Sequence, residues 1–245
     1  MTDVPAPPPA TGPGRPSPWQ FATVTDLWHE TPRAKTFRLA LERPTPFLAG
    51  QHFIVRLTAP DGYRAQRSYS VATAPGDDSR IDLTVELLKG GEVSGYLHDV
   101  VVPGDTLEVR GPIGGWFVWR GDTPALLVGG GSGLVPLMSM LRLARATGRS
   151  DLVRLAVSVR SPDDLYYRDE LPGPEVTVAY SREAPPGADR AAARLMAADL
   201  EWMLVEGATC YVCGSAGFAE AASRLLVGLG VPVPDIRVER FGPSG

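Results

Sequence analysis

The sequence predicts two domains, an antiparallel six-stranded β-barrel followed by a parallel α/β domain. Up to about residue 120 the chain consists of short apolar or alternating runs separated by Pro, Gly and Asp, a pattern typical of a sandwich or barrel. After Gly121 strand-like runs alternate with helical segments, which indicates a parallel sheet covered by helices. At 245 residues, with 44% hydrophobic and 21% charged residues, the chain is long enough and apolar enough for such cores.

The predicted elements divide the chain into three parts. Residues 1–18 hold seven prolines and little that is apolar, so we expect a disordered arm. The barrel domain spans 19–120, with one helix near 94–101 and strands near 21–28, 36–41, 52–57, 67–73, 81–88 and 106–110. The α/β domain spans 121–245, with strands near 125–128, 152–159, 175–180, 209–213 and 236–239, and helices near 135–146, 163–171, 195–205 and 216–229.

Composition excludes several classes of function. A net charge of -4 argues against nucleic-acid binding, which needs a basic surface. No apolar run approaches the length that spans a bilayer, and no export signal precedes the barrel, so we expect a cytoplasmic protein. Cys210 and Cys213 are the only cysteines; residues three apart in a strand point to opposite faces, so we predict no metal site.

The first chemical motif is Arg67-Ser68-Tyr69-Ser70, on a predicted strand. A flavin site needs a flat surface for the ring, a hydrogen-bond partner for its N5 atom and a cation for phosphate, and Tyr69, Ser70 and Arg67 supply these. Gly91-Glu92-Val93-Ser94 then starts the domain's single helix, where backbone N–H groups can hold a diphosphate. Two alternatives stay open: an edge strand with one exposed arginine, and Ser94 as a simple N-cap.

The second motif is a glycine-rich turn between a buried strand and a helix. Gly131-Ser132-Gly133 followed by Pro136 gives G-x-G-x-x-P, where glycines let the backbone approach a pyrophosphate. The next strand ends at Arg160 without the acidic residue that commonly binds the ribose of NAD, and the following strand ends at Ser181-Arg182. With Arg190 and Arg194, these residues favour NADPH over NADH, the alternative being a solvated basic surface.

Taken together, these motifs resemble the ferredoxin–NADP reductase superfamily, especially the flavin and nucleotide modules of bacterial oxygenase reductases. The likeness covers 19–245 and includes Cys213-Gly214 at a strand end and Glu239-Arg240-Phe241 near the C-terminus. It implies FAD, held by Arg67, Tyr69, Ser70 and the backbone of Gly91–Ser94 including Val93. It also implies NADPH or NADH at Gly131, Ser132, Gly133 and Pro136. Cys213 and Glu239 would join Ser70 near flavin N5, and Phe241 would cover the flavin face.

The resemblance also implies an electron acceptor. Many oxygenase reductases carry a four-cysteine [2Fe–2S] domain, and this sequence has no such cysteine set, so we expect a separate acceptor such as a ferredoxin, another iron–sulfur protein, a haem protein or a molybdenum protein. Lys35, Arg38, Arg56 and Arg64 are candidates for its docking patch, unless they are merely scattered and solvated. A free-flavin or quinone reductase and a non-catalytic nucleotide-sensing subunit are the alternative functions.

Overall fold

The computed structural model describes residues 17–242. The predicted arm lies almost wholly outside these residues, as do the last three residues of the chain. Within the described part, no helix is long and apolar enough to cross a membrane.

The first domain is the predicted antiparallel six-stranded barrel. Its sheet has the order β4-β3-β6-β1-β2-β5, and backbone pairing of Val71 with Leu83 joins the chain just after β4 to β5 and closes it. The helix α1 packs against β4 and β5. The elements are β1 (Gln20–Thr31), β2 (Ala34–Leu41), β3 (His52–Thr58), β4 (Arg64–Ser70), β5 (Arg80–Glu86), α1 (Glu92–Asp99) and β6 (Thr106–Ile113).

The second domain is the predicted parallel sheet, with the order β11-β10-β7-β8-β9. Because β8 and β10 flank β7 on opposite sides, the strand order reverses between β7 and β10, where open α/β sheets bind ligands at the carboxyl ends of their strands. The elements are β7 (Ala125–Gly130), α2 (Leu134–Ala146), β8 (Val153–Val159), β9 (Val176–Tyr180), α3 (Ala197–Glu201), β10 (Thr209–Ser215), α4 (Ala216–Gly228) and β11 (Ile236–Phe241).

One predicted helix is wrong in this domain, and a second is shorter than predicted. The stretch 163–171 forms one short 3-10 turn, Pro162–Asp164, because Tyr167 takes a left-handed φ of 55° that an α-helix cannot hold. The stretch 195–205 is helical only over Ala197–Glu201, after which Met203 and Leu204 donate to carbonyls three residues back. Strand β4 also starts and ends three residues before its predicted bounds, since it pairs with β3 down to the turn at 59–63.

The two domains share part of one apolar core. Ala34, Ala49 and Ala72 of the barrel belong to the same buried cluster as Leu137 and Cys213 of the α/β domain. Gly50 packs so closely that a side-chain Cβ there would lie 2.7 Å from the Met140 methyl group. The position of β4 relative to the glycine-rich turn is therefore set by packing between the domains.

Candidate active site

Strand β4 offers a free backbone edge to a ligand. It is the outermost strand of its sheet, and the Val71 N–H donates to the Gln51 carbonyl at 3.0 Å. Hydrogen-bonded pairs alternate in antiparallel strands, so the odd-numbered residues of β4 bond to β3. The N–H and C=O groups of Ser68 consequently point to the free edge, where they can bind the polar edge of a planar heterocycle, whereas at Ser70 the strand begins to pair with β5.

Arg67 and Tyr69 lie on one face of β4, as their spacing predicts. Tyr69 is half-buried against the barrel core, and this burial raises the pKa of its hydroxyl. Arg67 is exposed. The Tyr63 hydroxyl donates to Glu92, the first residue of α1, and this hydrogen bond raises the pKa of Tyr63. The positive charge of Arg67 is close enough to oppose that rise, so Arg67 lies near the start of α1. Arg67 and the helix start can thus reach one diphosphate together.

Ser70 presents a buried hydroxyl that needs a partner. Its side chain is only 5% exposed, and its Oγ atom has no hydrogen-bond partner among the described residues. Buried polar atoms in folded proteins are almost always hydrogen-bonded, so an orphaned hydroxyl at a strand edge fits a ligand atom that completes it. The N5 atom of a flavin is such an atom.

The start of α1 has the geometry of a phosphate site. The N–H groups of Glu92, Val93 and Ser94 have no intrahelical acceptor, since the first intrahelical bond runs from Gly95 to Gly91 at 2.8 Å. A Cβ at Gly91 would lie 3.0 Å from the Leu88 Cβ and closer still to the Ser94 hydroxyl, so only glycine fits this turn. The side chain of Val93 is buried in the barrel core, which leaves its backbone alone for a ligand.

Ser94 is not the N-cap of α1. Gly91 is the N-cap, and Ser94 is the third helical residue. The Ser94 hydroxyl donates to the Gly91 carbonyl at 3.3 Å and accepts from the Leu88 N–H at 3.3 Å. Its side chain therefore shapes the turn, and its N–H group remains available to a phosphate.

The glycine-rich turn after β7 lies against the end of β10. Gly131–Gly133 form a 3-10 turn that leads directly into α2, with Pro136 buried in the first helical turn and Ser132 half-exposed. Gly131 has a φ of 56°, in the left-handed region that glycine adopts most readily. A Cβ at Gly133 would overlap the Cys213 carbonyl. The turn and the Cys213-Gly214 strand end thus form one continuous backbone surface across the point where the strand order reverses.

Cys213 and Glu239 are neighbours on adjacent strands at this surface. They are in register between β10 and β11, and the Cys213 thiol is fully buried. Burial raises the pKa of Cys213, and the charge of Glu239 raises it further, so the thiol stays protonated. Burial also raises the pKa of Glu239 to about 7, and its Oε2 atom has no partner within residues 17–242. The pair offers a neutral thiol and a carboxyl group that can hold a proton near neutral pH.

The raised pKa of Glu239 predicts a pH-dependent stability. Between its ordinary pKa and about 7, the folded state binds a proton that the unfolded state has lost, so the free energy of unfolding falls as the pH rises through this range. The loss amounts to roughly 3 kcal/mol. Urea unfolding at intervals from pH 5 to pH 8 measures it. Glu239→Gln should show a flatter profile, whereas identical profiles would contradict the burial of an ionisable group here.

Phe241 and Gly214 complete this end of the sheet. Phe241 is half-buried against the cluster that contains Cys213. A Cβ at Gly214 would lie 2.6 Å from the Phe218 ring and 3.1 Å from the Gly130 carbonyl oxygen, so Gly214 allows α4 to pack on the glycine-rich turn. Cys210 packs in the separate cluster on the α4 side of the sheet, so the two thiols lie on opposite faces, as the strand spacing predicts.

The arginines predicted to bind a 2′-phosphate divide into two groups. Arg190 uses all its donors on α3 and its own loop: it forks onto Asp199 of α3 at 2.7 and 2.8 Å and donates to three backbone carbonyls of the loop. It therefore has no donor to spare for a phosphate. Arg160, Arg182 and Arg194 are exposed, and their guanidinium groups make no hydrogen bond to the part of the chain described. Ser181 lies beside them, its N–H bonded to the Val159 carbonyl at 2.8 Å.

The predicted docking patch on the barrel is largely neutralised. Arg38 forks onto Asp82 at 2.8 and 2.9 Å, and Arg56 forks onto Glu108 at 2.6 and 2.9 Å. Lys35 donates to the His98 carbonyl at 2.6 Å. Of the four residues only Arg64 is exposed without an ion pair among residues 17–242. Cross-strand carboxylates, which sequence spacing does not reveal, pair with Arg38 and Arg56, so these two are neither free docking cations nor merely solvated.

Two features of the site were missed by sequence reasoning. His52 is the cross-strand partner of Ser70, and burial lowers its pKa, so a neutral imidazole borders the orphaned hydroxyl. Ser139 and Arg142 of α2 donate to the carbonyls of Thr73 and Ala72, at 2.6 and 2.9 Å, just after the Arg67–Ser70 motif. The sequence did carry a signal for the contacts of α2, because Ser139 is a polar residue on the otherwise apolar buried side of this helix.

Comparison with known proteins agrees with this arrangement. Residues 22–118 match the oxidoreductase FAD-binding domain family, and residues 127–224 match the oxidoreductase NAD-binding domain family. The chain is 31% identical over 234 residues to the ferredoxin–NAD(P)(+) reductase component of naphthalene 1,2-dioxygenase/salicylate 5-hydroxylase systems from Ralstonia, covering 91% of this chain and 69% of the relative. It is 36% identical over 205 residues to a Pseudomonas putida flavohemoprotein, covering 80% of this chain but only 51% of that protein.

Solved structures share the fold. The crystal structure of an Amycolatopsis cytochrome P450 reductase superposes with a TM-score of 0.78 at 27% identity, covering 94% of this chain and 72% of that one. The matched domains bind FAD and a pyridine nucleotide, in the order in which the flavin and nucleotide motifs occur here. The chain therefore belongs to the ferredoxin–NADP reductase superfamily and is an NAD(P)H-dependent flavoprotein oxidoreductase.

Proposed function

We propose that this oxidoreductase uses NADPH in preference to NADH and passes single electrons from FAD to a separate redox protein. The observation that carries the proposal is the meeting of the glycine-rich turn with Cys213, beside Glu239 and on a domain packed against the end of β4. When bound, FAD accepts a hydride and returns the electrons one at a time. The protein supplies binding, orientation and protection from water.

The residues around β4 fit FAD. The exposed Arg67 guanidinium and the free N–H groups at the start of α1 would hold the diphosphate. Tyr69 would pack on the ring, the outward backbone groups of Ser68 would bind its polar edge, and the orphaned Ser70 hydroxyl would gain N5 as its partner. The Ser70 hydroxyl has no partner among the described residues, and the Arg67 guanidinium donates only to the Gln66 carbonyl at 2.7 Å, so both groups have hydrogen-bonding capacity for a ligand.

The second half of the site would position the nucleotide. The turn at Gly131–Gly133 and the start of α2 would bind its diphosphate, with Ser132 and Pro136 shaping the turn. Cys213 would bring a neutral side chain against the nicotinamide, and Glu239 would hold a proton beside it. Phe241 would cover the flavin face next to Cys213 until the nicotinamide displaces it.

The preference for NADPH rests on cations at the ends of β8 and β9 that have no ion-pair partner among residues 17–242. Arg160 is the first residue after β8 and Arg182 the second after β9, and the two are linked by the bond from the Arg182 N–H to the Arg160 carbonyl at 2.9 Å. With Ser181 and Arg194 they would bind the 2′-phosphate through charge-assisted hydrogen bonds. Arg190 takes no part in this role, because Asp199 and the loop carbonyls occupy it.

Replacing Arg182 should change the KM for NADPH much more than the KM for NADH. Arg182→Ala removes one charge-assisted contact, worth about 1.5–3 kcal/mol, and should raise the KM for NADPH roughly tenfold or more while leaving that for NADH within twofold. Steady-state reduction of ferricyanide with each nucleotide measures this. Arg190→Ala is the comparison: it should lower the Tm and affect both nucleotides alike. Equal changes for NADPH and NADH in Arg182→Ala would refute the role of Arg182.

An absorption spectrum followed by anaerobic titration tests the proposal as a whole. The purified protein should be yellow, release FAD, and bleach with one equivalent of NADPH. With NADPH it should then reduce an added [2Fe–2S] ferredoxin, followed through cytochrome c, without added flavin. Bleaching without transfer to any protein, together with a need for free flavin, would indicate a free-flavin reductase. Failure to bleach with either nucleotide would indicate a sensor.

A further inference from the structure

A buried polar network crosses the boundary between the two domains. Thr36 and Thr84 of the barrel share a hydrogen bond at 2.7 Å, and the Thr84 hydroxyl contacts the Tyr167 hydroxyl of the α/β domain at 2.5 Å. Glu30 connects the two ends of this chain of hydroxyl groups, because its carboxylate accepts from the Thr36 hydroxyl at 2.7 Å and from the Tyr167 N–H at 3.0 Å. Trp28 donates to the same carboxylate at 2.7 Å. We call Glu30, Thr36, Thr84 and Tyr167 the interdomain network.

The backbone, hydroxyl and ring of Tyr167 are all fixed by contacts. Within the described residues it is the only one other than glycine with a positive φ, and its side chain is 3% exposed. Such a backbone conformation persists only where its surroundings over-determine it. The hydroxyl and the N–H of Tyr167 both bond to the barrel, and the Arg142 guanidinium lies 4.9 Å from the centre of its ring. The residue thus acts as a two-point attachment of one domain to the other.

The same contacts lead to both halves of the active site. Arg142 also donates to the Ala72 carbonyl, and Ser139 to the Thr73 carbonyl, two and three residues after Ser70. Both donors lie on α2, the helix that starts at the glycine-rich turn. Tyr167, α2 and the segment after β4 therefore form a continuous path from the nucleotide turn to the flavin strand.

This arrangement does more than hold the domains together. The barrel side of the apolar interface includes Ala34, Ala49 and Ala72, whose side chains make no directional contacts, and such contacts tolerate small shifts. Hydrogen bonds fix both distance and direction, so a satisfied buried network specifies one relative orientation. Orientation matters here because the reacting partners are held by different domains, and a displacement of about 1 Å can slow a reaction roughly a hundredfold.

We propose that the interdomain network, through Tyr167 and Thr84, is a positioning device that fixes the α/β domain in the orientation needed for hydride transfer. The inference rests on the proposed function for its kinetic test and on the structure alone for its geometric test. Tyr167 and Thr84 are positioning residues, since they act on the reacting groups only through the orientation of the domains.

The kinetic test uses the flavin-loaded protein under anaerobic conditions. Tyr167→Phe and Thr84→Val each remove one side of the 2.5 Å contact. Each should slow flavin reduction at saturating NADPH about three- to tenfold, with the nucleotide Kd within twofold, and should make the deuterium isotope effect from 4-deuterated NADPH more temperature-dependent. Thr84→Ser, which keeps the hydroxyl, should restore the rate. The double variant should be no slower than Thr84→Val alone, since Thr84→Val already removes the contact with Tyr167 together with the one with Thr36.

Tyr166→Phe is the matched control. Tyr166 is the adjacent tyrosine and is similarly buried, at 5% exposed, but its hydroxyl makes no hydrogen bond to any of residues 17–242. The flavin of the Tyr166→Phe protein should be reduced by NADPH at the wild-type rate. An equal loss in Tyr166→Phe and Tyr167→Phe would overturn the proposal, because a general loosening of the core would then explain both.

The geometric test does not depend on activity. Spin labels at Lys89→Cys in the barrel domain and Arg224→Cys on α4 report the distance between the domains, and both positions are exposed while Cys210 and Cys213 are buried. The distance distribution should be narrow in the parent and broader in Tyr167→Phe. An unchanged distribution overturns the inference even if the protein is an active reductase, whereas a broadened one supports it even if no nucleotide reduces the flavin.

Discussion

Arg67→Ala should lower the affinity for FAD by roughly tenfold to a hundredfold. Charge-assisted hydrogen bonds to phosphate contribute about 1.5–3 kcal/mol each, and Arg67 is the exposed cation on the β4 face that carries Tyr69, beside the start of α1. Fluorescence titration of the flavin-free protein measures the change directly. FMN, which lacks the second phosphate and the adenosine, should bind the variant and the parent with a smaller difference than FAD does.

Arg64→Ala is the control for this variant. Arg64 is also exposed on β4, but it is three residues from Arg67 and so points to the opposite face. Its FAD affinity should stay within twofold of the parent. If Arg64→Ala and Arg67→Ala weaken FAD equally, the effect is one of overall charge, and Arg67 has no specific contact with the diphosphate.

Gly133→Ala should damage both the fold and the nucleotide site. The added Cβ would overlap the Cys213 carbonyl, a backbone group that cannot turn aside, so the turn or strand β10 has to move. Overpacking of this kind costs typically about 1–3 kcal/mol of the free energy of unfolding. Because the displaced turn is the proposed diphosphate site, we also expect the nucleotide Kd to rise about tenfold or more. Urea unfolding and nucleotide titration check the two effects separately.

Gly217→Ala provides the comparison. Gly217 lies in α4, and a Cβ there would meet nothing within 4 Å. Alanine should be neutral or should stabilise the helix by up to about 1 kcal/mol, with unchanged nucleotide binding. A Gly133→Ala protein as stable as Gly217→Ala would mean that the turn and the end of β10 are not in close contact in solution.

The sequence was most informative where local pattern determines structure. Alternation and turn residues placed all six barrel strands, and the G-x-G-x-x-P motif placed the turn between β7 and α2. The Arg67–Ser70 motif predicted a shared face for Arg67 and Tyr69 because strand alternation depends on neighbours alone. The sequence could not predict the free edge of β4, because that edge depends on which strands pair with each other in the sheet.

Most of the failures involve partners that the local sequence pattern does not reveal. Arg190 was assigned to a phosphate because nothing near it in the pattern marked Asp199 as its ion-pair partner. Arg38 and Arg56 were candidates for a docking patch, yet their ion-pair partners Asp82 and Glu108 lie 44 and 52 residues further along the chain. The helix predicted over 163–171 was wrong because contacts of Tyr167 with Glu30 and Thr84 outweigh its helical pattern. Tertiary context overrides local propensity at such positions.

The core shared by Ala34, Ala49 and Ala72 with the α/β domain has a consequence for cooperativity. If either domain unfolds, the other exposes the apolar surface that it buried at the interface. A half-folded chain is therefore less stable than it would be if the two domains folded independently. We therefore expect one unfolding transition, with the calorimetric enthalpy equal to the van't Hoff enthalpy. Cutting the chain between the two matched family regions, at 119–126, should yield fragments that aggregate rather than two working modules.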